Sequence, residues 1–111
     1  LAEVRLESGE PELGETQARK ALDLLENRVD HLQEVGTAQL TLGRALAAQG
    51  RMEEAERYIS AAGRTFAKAR SSSHRSSAWM GLGDVESTRG DDRAAAGLYR
   101  RAALALHDPD A

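Results

Sequence analysis

The sequence predicts an all-α fold in which pairs of helices stack side by side. Three glycines, Gly9, Gly50 and Gly90, recur at intervals of 41 and 40 residues, and repetition at such a period is typical of solenoids. After each glycine, small and apolar residues follow at spacings of four, three and four, which places one stripe along an α-helix. Proline is absent between Glu12 and Asp108, so no proline interrupts helices there.

The second helix of each unit follows the recurring glycine. The stripes predict helices over residues 11–27, 52–69 and 92–107, and Asp91 is a suitable N-cap for the last of them. A loop is predicted at residues 71–74, where three serines follow one another.

A first helix precedes each glycine, and in two units it contains a glycine of its own. Gly43 follows Leu42, and Gly83 follows Leu82 in the same register. Glycine inside a helix costs about 1 kcal/mol relative to alanine. We therefore expect a neighbouring helix to pack too closely at both positions for a β-carbon.

Size and composition limit the function classes. The chain has 111 residues, which is one small domain, and its net charge of −3 arises from interspersed charges of both signs. We therefore expect no direct contact with nucleic acid. No apolar stretch reaches the length of a membrane span, which is about 20 residues, so we expect a cytoplasmic protein without membrane contact. The chain begins at Leu1, and we expect it to be a fragment of a longer one.

No residue pattern indicates catalysis, a cofactor or a metal. His31, His74 and His107 lie far apart in sequence and near the ends of predicted elements. Gly81 and Gly83 form only half of a dinucleotide-binding fingerprint, inside a helix pattern with no preceding strand. We therefore expect a protein that is not an enzyme.

The last unit resembles the tetratricopeptide repeat signature, which has a Trp-x2-Leu-Gly motif, then an Ala-x3-aromatic motif, then a late proline. The residues that carry this resemblance are Trp79, Leu82, Gly83, Ala95, Tyr99, Ala102 and Pro109. The middle unit has Gln39 in place of the tryptophan but keeps the other positions of the repeat. The residues at these positions are Leu42, Gly43, Leu46, Ala55, Ile59 and Ala62.

The resemblance implies an α-solenoid, a right-handed superhelical stack of about two and a half helix pairs. Its units would cover residues 1–28, 31–70 and 74–108 within a single domain, 1–111. Trp79, the sole tryptophan, would wedge between the two helices of its unit.

The 40-residue period is similar to that of a long repeat type found in many bacterial regulators. Residues 42–106 resemble the C-terminal repeat region of actinobacterial helix-turn-helix transcriptional regulators. This resemblance implies a protein- or peptide-binding domain that is the regulatory or sensor region of such a regulator. The alternative is a general scaffold or adaptor with no role in transcription.

In tetratricopeptide stacks, the first helix of each unit lines a concave surface. Carried onto this chain, the peptide-binding residues would be Leu40, Arg44, Ala47, Met80, Asp84, Ser87 and Thr88, with Thr37, Ala48, Ser77, Glu3, Leu6 and Glu7 beside them. An extended or helical peptide would lie across this surface. The alternative is that these residues are only exposed positions of a short solenoid. We also expect the end faces of the stack to self-associate or to be covered by flanking repeats.

Overall fold

The computed structural model describes residues 10–25 and 29–107, which form five α-helices. They are α1 (Pro11–Leu25), α2 (Leu32–Ala48), α3 (Met52–Lys68), α4 (Ser72–Thr88) and α5 (Asp92–His107), with a short 3-10 turn at Val29–His31. No strand occurs in the described ranges, and the predicted all-α class is confirmed. The bounds predicted for α3 and α5 agree with the structure to within one residue. The helix predicted over 11–27 is confirmed as far as Leu25, because residues 26–28 lie outside the described ranges, as do the predicted positions in 1–9 and 108–111.

Each helix packs against the next one along the chain, and α2 also contacts α4. The pairs α2–α3 and α4–α5 are therefore two successive units, and α1 packs on α2 as the second helix of the preceding unit. The core lies where these layers meet. Its largest fully buried side chains are Leu42, Leu46, Ile59, Phe66 and Val85.

Three of the helices end in the same turn, in which the backbone enters the left-handed region. Gly50 and Gly90 have φ values of 78° and 88° after α2 and α4, and Arg70 has a φ of 56° after α3. In the turn after α3, the Ser71 amide donates to the Phe66 carbonyl at 3.0 Å, the bond that defines a Schellman motif. The recurrence of Gly50 and Gly90 is thus explained by the left-handed position, which arginine adopts at a cost after α3.

The loop between α3 and α4 is shorter than the predicted one at residues 71–74, and the prediction is wrong beyond Ser71. Because the chain has already reversed at Arg70, α4 begins at Ser72, and His74 lies in its first turn. The Ser71 hydroxyl lies 2.5 Å from His74 Nδ1. At the start of α5, the prediction that Asp91 is the N-cap is confirmed, since its Oδ1 accepts a hydrogen bond from the Ala94 amide at 3.0 Å.

The two helical glycines lie at close helix contacts, as predicted. A β-carbon at Gly43 would collide with Ile59 and would lie 3.1 Å from the Ala55 carbonyl oxygen on α3. A β-carbon at Gly83 would lie 2.6 Å from Tyr99 Cε1 on α5. The distance at Gly83 is shorter than real β-carbon contacts, and the distance to the Ala55 oxygen is tighter than most of them, so glycine permits these helix pairs to approach.

The other predicted repeat positions divide between core and surface. Leu42, Ile59, Ala55 and Ala95 are buried, whereas Leu82 and Trp79 are half-buried. Trp79 was expected to wedge between the two helices of its unit; it contacts Arg101 of the second helix, but it is only half-buried, because part of the indole faces a surface cleft.

The middle unit is covered by the last unit, which explains why equivalent residues differ in exposure. Ile59 is fully buried, but its counterpart Tyr99 is 38% exposed. Phe66 is fully buried, but its counterpart Leu106 is 57% exposed. A β-carbon built at Gly81 of α4 would contact Ile59 Cγ2 at 3.2 Å. The α4 helix therefore covers the middle unit, whereas no described helix covers the last one in the same way.

Candidate protein-interaction surfaces

The predicted peptide-binding residues lie on α2 and α4, the first helices of their units. On α4 they form a surface: Met80 is 49% exposed, and Asp84, Ser87 and Thr88 are exposed as well. We call these four residues the α4 face. Their helical spacing of four, three and one places them on adjacent turns of one side of the helix.

The contribution from α2 is smaller than predicted. Leu40 is only 7% exposed, so the prediction that it is an apolar contact for a peptide is wrong. Leu40 is buried because α4 stacks on α2. A β-carbon built at Gly81 of α4 would lie 3.5 Å from Leu40 Cδ1. Arg44 and Ala47 are half-buried, and their role in binding stays a prediction.

A hydrogen bond fixes the carboxylate of the α4 face. Tyr99 Oη donates to Asp84 Oδ1 at 2.6 Å, and this bond, together with partial burial, raises the pKa of Tyr99. The Thr88 hydroxyl donates to the backbone carbonyl of Asp84 at 2.9 Å. Asp84 lies one helical turn after the exposed Met80, and its second carboxylate oxygen can accept a hydrogen bond from a partner.

A second surface lies between α3, α4 and α5. It is a cleft of about 630 Å³, and we call it the arginine cleft. The side chains that characterise it are Arg64 on α3, Arg75, Trp79 and Leu82 on α4, and Arg101 and Leu104 on α5. No aspartate or glutamate of the described residues lines it.

Two arginines of the cleft, Arg64 and Arg101, differ from the paired arginines elsewhere in the described residues. Arg19, Arg51 and Arg89 each form a salt bridge with a glutamate, at 2.6–3.0 Å. Arg64 and Arg101 form no salt bridge within residues 10–25 and 29–107. The guanidinium carbon of Arg101 instead lies 5.0 Å from the centroid of the Trp79 ring, which is a cation–π distance.

Sequence reasoning missed this cleft, although the repeat register contains a signal for it. One repeat earlier, Arg75 corresponds to Val35, Arg101 to Ala61 and Trp79 to Gln39. In that earlier unit, the side-chain oxygen of Gln39 accepts a hydrogen bond from the hydroxyl of Thr65 at 2.7 Å. The α1, α2 and α3 helices pack together without these residues, so stacking does not require the basic and aromatic residues of the last unit.

The histidines provide no metal centre in the structure. His31 lies 3.5 Å from carboxylate oxygens of Asp30 and Glu34, and the His74 ring packs 5.1 Å from the ring of Phe66. Within the described part of the chain, no group of three or more metal-ligating side chains could hold an ion.

The stacked helix pairs, the close contacts at glycine and the left-handed turns together define a tetratricopeptide-like fold, which is a protein-interaction scaffold and generally not enzymatic. The chain is similar to a solved structure of the TPR domain of Arabidopsis FLU, with a TM-score of 0.81 and 25% sequence identity, over 96% of this chain and 88% of that one. Neither protein-family models nor curated proteins give a match to the chain. None of the described helices is long and apolar enough to cross a membrane.

Proposed function

We propose that this chain is a protein- or peptide-binding domain and that it serves as the regulatory region of a bacterial transcriptional regulator. The observation that carries the binding role is the α4 face, where an exposed methionine lies beside a positioned carboxylate on an interaction scaffold. The transcriptional role is supported by the resemblance of residues 42–106 to the repeat region of actinobacterial regulators.

The chemistry of the α4 face favours a partner with an apolar side chain next to a hydrogen-bond donor. Met80 is unbranched and polarisable, so it adapts to apolar groups of different shape. Asp84 accepts hydrogen bonds from a backbone amide or a basic side chain. Ser87 and Thr88 add hydroxyls one turn away, which a peptide lying along the helix can contact.

Binding at this face would act on transcription through the stack. A partner that contacts α4 also affects how α4 sits on α2 and α3, because these helices share one core. The change in helix packing would be transmitted to a DNA-binding part or to a dimer interface elsewhere in the protein. The second candidate function is an adaptor, for which the scaffold fold alone is sufficient.

A binding assay with charge variants tests the α4 face. Proteins captured from the source cell by the wild-type chain would be compared with those captured by Asp84→Arg, Asp84→Asn and Arg44→Glu. Asp84→Asn removes the charge but keeps an acceptor for Tyr99. The matched control is Asp23→Arg, which makes the same charge change at an exposed position of α1.

We expect Asp84→Arg to lose the partner that Asp23→Arg retains, with both variants as helical as the wild type by circular dichroism. If the captured partner is indifferent to the changes at Asp84, the proposed α4 face is wrong; if it is indifferent to Arg44→Glu, Arg44 of α2 is not part of the binding surface. The gene sequence upstream of Leu1 separates the two candidate functions. A basic domain of three or four helices there favours the regulator, and further repeats favour the adaptor.

A further inference from the structure

We propose that the arginine cleft is a second interaction surface, which binds a protein segment that carries carboxylates beside an apolar side chain. The cleft lies between α3, α4 and α5 and shares no residue with the α4 face. This proposal therefore goes beyond the proposed function, and either one can fail without the other.

The charge of the cleft points to an anionic partner. Arg64 and Arg101 come from two different helices, converge on the same cleft and have no carboxylate partner among the described residues. Although the whole chain is acidic, residues 57–107 contain nine arginines or lysines and only four aspartates or glutamates. A planar guanidinium matches a carboxylate in a bidentate geometry, so carboxylates of a partner complement this surface.

The walls of the cleft require an apolar group as well. Leu104 is 54% exposed, Leu82 and Trp79 are half-buried, and all three face the cleft. A volume of about 630 Å³ is in the range of small binding sites and accommodates a few side chains. Covering these residues with an apolar side chain removes their surface from water, which is favourable.

The equivalent positions of the earlier units show whether the fold itself requires arginine there. Arg75 and Arg101 stand where the middle unit has Val35 and Ala61, and Arg64 stands where the first unit has Asp23. Three basic residues at positions that are neutral or acidic in a neighbouring unit are therefore not a requirement of the fold. Their convergence in one cleft indicates a role in recognition.

A protein segment fits the cleft better than a nucleic acid does. Single-stranded nucleic acids bind by stacking bases on exposed aromatic rings along an extended basic groove. Here Arg101 already lies over the Trp79 ring, and Trp79 is the only aromatic residue that lines the cleft in the described part of the chain. Because the arginines surround a compact apolar cleft, the cleft fits a protein segment in which an apolar residue has a carboxylate on either side.

The test uses a labelled synthetic helical peptide of about 16 residues, built from Ala, Glu and Leu with the leucines four apart. Its binding is measured by fluorescence anisotropy. Two comparison peptides replace every Glu by Lys or every Leu by Ala, and single-stranded oligothymidine is the nucleic-acid probe. Because Trp79 is the sole tryptophan, its emission reports whether the unlabelled acidic peptide enters the cleft.

The variants form a matched pair on α5. Arg101→Glu and Arg100→Glu make the same charge change at adjacent exposed residues, and only Arg101 lines the cleft. We expect saturable binding of the acidic peptide below about 1 mM, with a change in Trp79 emission. Arg101→Glu should weaken this binding at least about tenfold, whereas Arg100→Glu should change it by less than about threefold. Both comparison peptides should bind more weakly.

Four results would overturn the proposal: no binding of the acidic peptide up to about 1 mM, binding without a change in Trp79 emission, equal losses in the two variants, or equal binding of the peptide without leucine. Tighter binding of oligothymidine than of the acidic peptide would assign the cleft to nucleic acid instead. None of these outcomes bears on Met80 or Asp84, so the proposed function would be unaffected.

Discussion

Replacing Gly43 by alanine should destabilise the protein, although alanine is the better helix former. The change gains about 1 kcal/mol of helix propensity. The added β-carbon, however, would collide with Ile59 and lie 3.1 and 3.2 Å from the Ala55 carbonyl oxygen and the Ile59 amide nitrogen. Overpacking of this kind costs about 1–3 kcal/mol, and backbone atoms of α3 cannot move aside singly, which favours the upper half of that range. We expect Gly43→Ala to lower the free energy of unfolding by about 1–2 kcal/mol.

The matched control is Gly97→Ala on α5, where a β-carbon would meet no atom within 4 Å. This variant gains propensity without a collision and should raise the free energy of unfolding by up to about 1 kcal/mol. Both are measured by urea denaturation followed by far-UV circular dichroism. A Gly43→Ala protein that is as stable as Gly97→Ala would refute the close approach of α2 and α3.

Three further predictions concern the turn at Arg70, the burial of Phe66 and Trp79, and the carboxylate of Glu15. Arg70→Gly should stabilise the protein by up to about 1 kcal/mol in the same urea assay, because glycine adopts the left-handed φ of 56° without steric cost; a loss of stability would contradict this. Phe66→Ala should cost about 3–5 kcal/mol, since the ring is fully buried, and Trp79→Ala should cost less, since the indole is half-buried; the reverse order would refute the assignment of core and cleft. The pKa of Glu15 is lowered, mainly by the hydrogen bond from Gln49. The ionised Glu15 side chain therefore stabilises the fold above about pH 4.5, and this stabilisation is lost as the pH falls through the lower pKa of the folded state. Denaturation at several pH values should show that Glu15→Gln flattens this acid dependence, and an unchanged dependence would contradict the prediction.

The sequence was sufficient to predict the helices because local signals mark their ends. Glycine at positions 50 and 90 supplies the left-handed residue of each turn, and Asp91 caps α5. The loop at residues 71–74 was placed wrongly because Arg70 takes the left-handed conformation that glycine takes elsewhere. Arginine gives no local signal for such a turn.

The surfaces could be predicted less well, because exposure depends on which helix lies above a residue. Leu40 and Met80 occupy the same repeat position, yet α4 covers only Leu40. The arginine cleft was missed because Arg64 and Arg101 are far apart in the chain and each resembles an ordinary solvated charge. Only the stacking of three helices brings them together, and comparison of the units position by position could have identified them.

The two complete units are covered unequally, and this difference predicts that α5 opens more readily than α2 and α3. The middle pair, α2 and α3, has neighbours on both sides, whereas α5 packs mainly on α4. In a stack whose stability is the sum of units and their interfaces, a helix with fewer packed neighbours unfolds at a lower free energy than one with more. Amide hydrogens of α5 should therefore exchange with solvent sooner than those of α2 and α3. A segment bound between α3 and α5 would slow the exchange of α5, linking occupancy of the cleft to the local opening of this helix.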